Sequence, residues 1–118
     1  MRTATRWLVA SAVATAVVFL LRTRPGLYRV EGPSMEPALP EGTLALGVRA
    51  GRISPGDVVV IRDPFGPGLV VKRVDSAQQR GRVLWLVGDN PVGTVDSRAW
   101  GWVASSRVRA RVVLAVKR

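Results

Sequence analysis

Ser34 and Lys72 are the two side chains whose types and surroundings could do covalent chemistry together. Ser34 lies in "GPSMEPALPEGT", Gly32 to Thr43, between prolines that restrict the backbone and beside the apolar Met35. A serine hydroxyl is a weak nucleophile until a base removes its proton. The chain of 118 residues contains no histidine and no cysteine. That composition excludes a Ser-His-Asp triad, a thiolate nucleophile, a disulfide and a His-ligated metal. A base must therefore be a carboxylate or one of the two lysines, Lys72 and Lys117. Lys72 sits in "GLVVKRV", where strand alternation puts Val70, Lys72 and Val74 on one face and Val71 and Arg73 on the other. An ammonium held among valines is poorly solvated, so its neutral form gains and it can accept a hydroxyl proton. On their own, both residues also have plain structural readings. Ser34 fits a turn, and Lys72 fits a strand lysine that snorkels to solvent.

The elements that must position these two residues fall into two parts. "WLVASAVATAVVFLL", Trp7 to Leu21, is uncharged and flanked by Arg6 and Arg22. As a helix it measures about 22 Å, and its threonine flanks extend it toward the roughly 30 Å of a bilayer core. Arg22-Thr23-Arg24-Pro25 follow in place of the small residues of a cleavage site, so an uncleaved anchor is expected over residues 1–24. A buried core helix would instead show a polar face, and only Ser11 and Thr15 are polar. Arginines lie on both sides of the run, so the positive-inside rule scarcely orients it.

From residue 25 to 118 short β-branched runs alternate with Gly/Pro turns. Strands are expected at Leu27–Glu31, Thr43–Val48, Asp57–Arg62, Leu69–Asp75, Arg82–Val87 and Arg107–Val116, with one helical turn near Asp96–Trp100. The fold class is mainly β, a small antiparallel domain preceded by one N-terminal membrane helix, with Pro25-Gly26 as the hinge. Trp85 is expected in the core, while Trp100 and Trp102 fit a core or a membrane-interface rim equally. The net charge of +10 favours an anionic neighbour. With scattered arginines and only 6% aromatic residues, nucleic acid is not expected as a partner.

A third stretch, "GDNPVGTVDSRAWGWV" from Gly88 to Val103, combines turn residues with two acids, an arginine and two tryptophans. Four segments in order, "GPSMEPAL", "GDVVVIRDP", "VVKRV" and "GDN" with "DSRAWGWV", resemble the type I signal peptidases, the S26 family of membrane-anchored Ser/Lys proteases. The resemblance covers about three-quarters of the chain. It implies Ser34 as nucleophile, Lys72 as general base and Thr94 as the hydroxyl that orients the lysine. Asp89, Asn90, Asp96, Ser97 and Arg98 become a supporting shell. Met35, Val70 and Val74 become the walls of shallow substrate pockets that favour small side chains. No cofactor and no metal is implied.

The implied activity is cleavage of signal peptides or N-terminal extensions from precursor proteins, through an acyl-enzyme, by a single-pass monomer at the cell membrane. The catalytic domain is expected on the extracytoplasmic side. Ser34 and Lys72 are only 38 positions apart, and the large extra domain of many bacterial signal peptidases is missing. This compactness resembles the mitochondrial inner-membrane proteases and the maturation proteases of nickel-type superoxide dismutase, which gives a dedicated maturation protease as the alternative. The self-cleaving repressors share the dyad but lack the anchor and the Gly88–Val103 type of segment. The reading of another class is a non-catalytic, membrane-tethered basic β-module. Some family members carry a serine two positions before the nucleophile whose hydroxyl donates to the oxyanion; here, as in other members, Gly32 stands at that position. Pro33 has no N–H, which leaves the backbone N–H of Ser34.

Overall fold

The computed structural model describes residues 2–117. Its N-terminal segment contains no proline or glycine before Pro25-Gly26 and is rich in alanine, valine and leucine. It forms helix α1 over Thr3–Thr23. At 1.5 Å per residue, 21 residues reach about 31 Å, so the helix is long enough to cross a bilayer core, which the uncharged run alone would not be. No residue of α1 is buried, which removes the core-helix reading. The hydroxyls of Thr15 and Thr23 donate back to the carbonyls of Ser11 and Phe19, so these polar groups are satisfied within the helix. Arg24 adopts a left-handed conformation and its N–H caps the carbonyl of Leu20.

The chain turns there, and strand β1 begins at once, at Gly26–Arg29. It is followed by β2 (Leu44–Val48), β3 (Val58–Arg62), β4 (Leu69–Gln78) and β5 (Val83–Val87). A short helix α2 (Ser97–Trp100), β6 (Val103–Ala104), a 3-10 turn (Ser105–Arg107) and β7 (Val108–Val116) complete the fold. All strand pairs are antiparallel, and the seven strands lie in the order β1-β2-β7-β3-β4-β5-β6. The long C-terminal strand β7 therefore joins the hairpin next to the helix to the strands that carry Lys72.

The register contains a direct cross-strand row. Val48 lies opposite Arg111, Arg111 opposite Val59, and Val59 opposite Lys72. The backbone N–H of Arg49, next after Val48, donates to the carbonyl of Thr23, the last residue of α1. Helix end and sheet are thus tied by a hydrogen bond as well as by the chain. Two apolar clusters cover the sheet. Val59, Ile61, Val74, Leu84, Leu86 and Val103 make one; Val30, Met35 and Leu39 make the other, against Val58, Val71 and Ala115.

The expected strands all occur, with shifted limits. β4 runs three residues further, to Gln78, and β6 was not anticipated because two residues give too little periodicity to read. The helical turn after Asp96 is α2, whose first turn is capped by the Asp96 side chain accepting from the Arg98 N–H. The expectation for Trp85 is corrected. Leu84 and Leu86 are fully buried, and Trp85, of opposite parity, points away from them. It meets Trp102 edge to face, with ring centroids 5.3 Å apart.

Because α1 has an unbroken apolar surface, a charge at its centre has no polar face to turn toward. Val13→Arg should cost about 2.5–3.5 kcal/mol of membrane insertion. Carbonate extraction of membranes checks this, with the variant shifting to the soluble fraction.

Candidate active site

Lys72 owes its position to strand alternation and to the partner strand on each side. On β4 it shares a face with Val70 and Val74, as the sequence implies, and Val59 of β3 stands directly opposite. Only 4% of Lys72 is exposed. Its Nζ lies 3.2 Å from Ser34 Oγ, to which it donates. Burial pulls the Lys72 amine below the usual lysine range, against the weaker opposing pull of the Asp96 and Asp63 carboxylates.

Ser34 approaches from a turn that folds on itself. The Glu36 N–H donates to the Pro33 carbonyl and the Leu39 N–H to the Met35 carbonyl. The buried Met35 side chain anchors this turn in the second cluster, between Val30 and Leu39. The segment after β5 then closes over the turn. Gly88 matters for what it lacks. A Cβ there would collide with the Thr94 methyl and come within 2.7 Å of the Ser34 carbonyl oxygen. Asn90 reaches the same turn with its N–H donating to the Ser34 carbonyl at 2.9 Å and its Nδ2 donating to the Pro33 carbonyl at 3.1 Å.

Two arginine–carboxylate pairs fix the surroundings. Arg73, next to Lys72 but on the other face, grips both oxygens of Asp89 at 2.8 Å and also donates to the Gly56 carbonyl. Arg98 grips Asp96 at 3.0 and 2.7 Å. The buried Asp96 also accepts from the N–H groups of Gly88 and Arg98. Burial by itself pushes the Asp96 carboxyl up. The hydrogen bonds from the Arg98 side chain and from the two N–H groups outweigh it and bring the carboxyl down to about 2. Ser97 Oγ accepts from the Leu86 N–H and so fastens α2 to β5.

The structure thus brings Ser34 and Lys72 into contact and gathers Asp89, Asn90, Asp96, Ser97 and Arg98 around them. Thr94 is adjacent, beside Gly88, but its hydroxyl donates to the Asn90 carbonyl, and the one hydrogen bond of the Lys72 amine is to Ser34. Of the three expected pocket residues, only Val70 lines the cleft at Ser34. Met35 and Val74 are at most 1% exposed and lie within the two apolar clusters, because turn anchoring and sheet packing claim their side chains. The cleft, about 620 Å³, runs between residues 27–31 and 68–72, with Ser34 and Lys72 in its wall. Along it, Leu69–Lys72 pair with β3 alone, since the β4–β5 ladder ends at Arg73 opposite Val87. Gly88 and Arg73 are the site residues that sequence reasoning passed over. Gly88 could have been found as the residue that must leave space for the Ser34 turn, and Arg73 as the opposite-face partner of an acid in the third motif. Among the described residues, no group of three His, Cys, Asp or Glu comes together to hold a metal ion.

The site therefore sets a hydroxyl against a desolvated amine on an antiparallel sheet that follows an apolar N-terminal helix. The family described as "Signal peptidase, peptidase S26" matches residues 4–77, and the chain belongs to it. A curated relative is the mitochondrial inner membrane protease subunit 1 of Mus musculus. It is 28% identical over 110 residues, covering 74% of this chain. The chain spans 66% of that relative's length.

Two substitutions test the scaffold. The Asp96 carboxyl lies below its unfolded value near 3.8, so its stabilisation is complete above that value and is lost as pH falls through about 2. Asp96→Asn should therefore lose about 2 kcal/mol at pH 7, and its deficit should shrink between about pH 4 and pH 2. Denaturant titrations across pH measure it. Gly88→Ala should displace the Ser34 turn and abolish any activity that needs Ser34 beside Lys72, with the fold retained by circular dichroism.

Proposed function

We propose that the chain is a membrane-anchored serine endopeptidase with a Ser34/Lys72 dyad, acting on N-terminal segments of precursor proteins. The observation that carries this reading is the 3.2 Å contact between Ser34 Oγ and a lysine amine that is 4% exposed, in a chain without histidine. Neutral Lys72 takes the Ser34 proton as Oγ attacks the scissile carbonyl carbon. The tetrahedral intermediate collapses when Lys72 returns that proton to the leaving amine, and the acyl group stays on Ser34 as an ester. Lys72 next takes a proton from water as its oxygen attacks the ester carbon, and returns that proton to Ser34 Oγ as the acyl–oxygen bond breaks, which releases the acid and restores both the hydroxyl and the neutral amine. No cofactor enters these steps.

Residues 1–24 act as the anchor and residues 25–118 as the catalytic domain, with the dyad complete in one chain. An extended substrate adds along the free edge of Leu69–Lys72, which leaves its side chains facing a narrow cleft wall that suits small residues beside the cut. The S26 membership and the membrane protease among its relatives support a precursor as substrate. The second reading, a dedicated maturation protease for nickel-type superoxide dismutase, rests on the short 38-residue interval between the dyad members.

The test is incubation in detergent with a secretory precursor and with a nickel-type superoxide dismutase precursor. Ser34→Ala and Lys72→Ala should each lower cleavage on the order of 1,000-fold or more. Cleavage of the second precursor alone would select the dedicated protease. Intact precursors with the parent protein would leave the non-catalytic tethered module. The rate should rise with pH as Lys72 loses its proton, with a midpoint below the usual lysine range. The same shift has a stability signature. Below the folded midpoint the buried ammonium costs its full penalty, and parent stability recovers as pH climbs toward the unfolded value of 10.5. Lys72→Met should therefore be more stable than the parent at neutral pH, and the gap should narrow on the alkaline side.

A further inference from the structure

Attack by Ser34 would convert the scissile carbonyl oxygen into an oxyanion, which needs preorganised N–H donors. Gly32 supplies no side chain, Pro33 no N–H, and among the described residues the Ser34 N–H has no acceptor. Building on the proposed peptidase activity, we infer that Asn90 is the positioning residue that presents the Ser34 N–H to the oxyanion, by clamping the two peptide planes on either side of the nucleophile.

A trans peptide unit is planar, with its C=O and N–H pointing in opposite directions. The Pro33 carbonyl and the Ser34 N–H belong to one such unit. That carbonyl accepts from Asn90 Nδ2 and from the Glu36 N–H, both at 3.1 Å. Holding the oxygen in this way holds the N–H on the far side of the plane. Donation into the carbonyl also polarises the amide and strengthens its N–H as a donor. The next plane, Ser34–Met35, is held by the Asn90 N–H on the Ser34 carbonyl. Two consecutive planes pinned by one residue leave Ser34 little freedom to rotate its N–H away.

The residue type is specified as well. Asn90 Oδ1 accepts from the Val92 N–H at 3.1 Å, which sets the carboxamide so that Nδ2 faces Pro33. The Asn90 carbonyl in turn accepts from the Thr94 hydroxyl. All four polar groups of Asn90 are therefore engaged, two toward the nucleophile and two toward its own loop. Aspartate could keep the Val92 bond but would set a carboxylate oxygen against the Pro33 carbonyl and turn a clamp into a repulsion. Thr94 then acts through Asn90 by fixing the carbonyl that anchors the loop.

The test compares parent, Asn90→Asp and Asn90→Ala in detergent on a quenched peptide with small residues before the cut. A peptide aldehyde, which adds to the serine oxygen and forms a tetrahedral oxyanion, serves as the second probe. Asn90→Asp should lower kcat on the order of 100-fold, the scale of a lost oxyanion donor, with KM within about 2-fold. Aldehyde affinity should fall in parallel with kcat, while binding of an uncleavable peptide and the pH midpoint of the rate stay unchanged. Asn90→Ala, which keeps the backbone bonds, should show the same pattern with a smaller loss. The inference is overturned if both variants match the parent in kcat. It is equally overturned if kcat, KM, uncleavable-peptide binding and melting temperature all deteriorate together, since that marks a general structural role. A parent protein that neither cuts the peptide nor binds the aldehyde removes the peptidase reading itself.

Discussion

The site depends on keeping one primary amine away from water and away from any carboxylate that would hold its proton. Desolvation alone destabilises the charged form of Lys72, but a nearby acid can undo that effect by forming an ion pair. Asp96 and Asp89 both lie in the segment packed at the site, and each is gripped through both carboxylate oxygens by an arginine. Asp96 takes two further N–H donors. Both acids are thereby paired elsewhere, the remaining pull of Asp96 and of Asp63 on Lys72 is weaker than its desolvation, and the hydrogen-bond partner of Lys72 is the Ser34 hydroxyl. In a chain whose basic residues are almost all arginine, the two chemistries divide cleanly. Guanidinium groups neutralise carboxylates in bidentate geometry, and the scarce amine is left in contact with the Ser34 hydroxyl.

Keeping the amine dry is a task for the sheet, and reaching it is a task for the loops. Val59, Val74 and Leu86 are fixed by strand register, so the apolar surroundings of Lys72 are as rigid as the ladder. The Ser34 turn has no ladder of its own. It is held by Met35 from below and by Asn90 from the side, and it fits only because Gly88 has no side chain. The same small segment therefore supplies space, hydrogen bonds and charge pairing at once.

How much of this is legible in sequence follows from that division. Period-two alternation places Lys72 with Val70 and Val74, and the structure agrees. The uncharged N-terminal run marks the helix, although the ends of α1 depend on whether Thr3–Arg6 and Arg22–Thr23 join it, which hydropathy does not decide. Ser34 and the third motif are visible through the ordered resemblance of four segments to a known family, since their residue types taken singly suit plain turns equally well. Roles that arise across strands or between loops are not visible in spacing. Arg73 finds Asp89, and Gly88 admits the Ser34 turn, only because register sets them there. Met35 and Val74 illustrate the converse: apolar residues near Ser34 and Lys72 suit a pocket wall and a packing anchor equally, and packing claims both here. Trp85 was misplaced by one step of alternation, since a hydrophobic strand flanked by leucines reads the same in either parity.

The direct row from Val48 through Arg111 and Val59 to Lys72 sets a gauge length. Three strand spacings put the amine about 14 Å to the side of the strand that is bonded to the helix end. That offset consists of hydrogen-bonded rungs, with no flexible tether in it. The distance between the end of α1 and the Ser34–Lys72 pair is therefore set by strand pairing. Changing that offset would take a strand inserted or removed, because slipping a strand's register moves it along its own axis and leaves the spacing between strands unchanged.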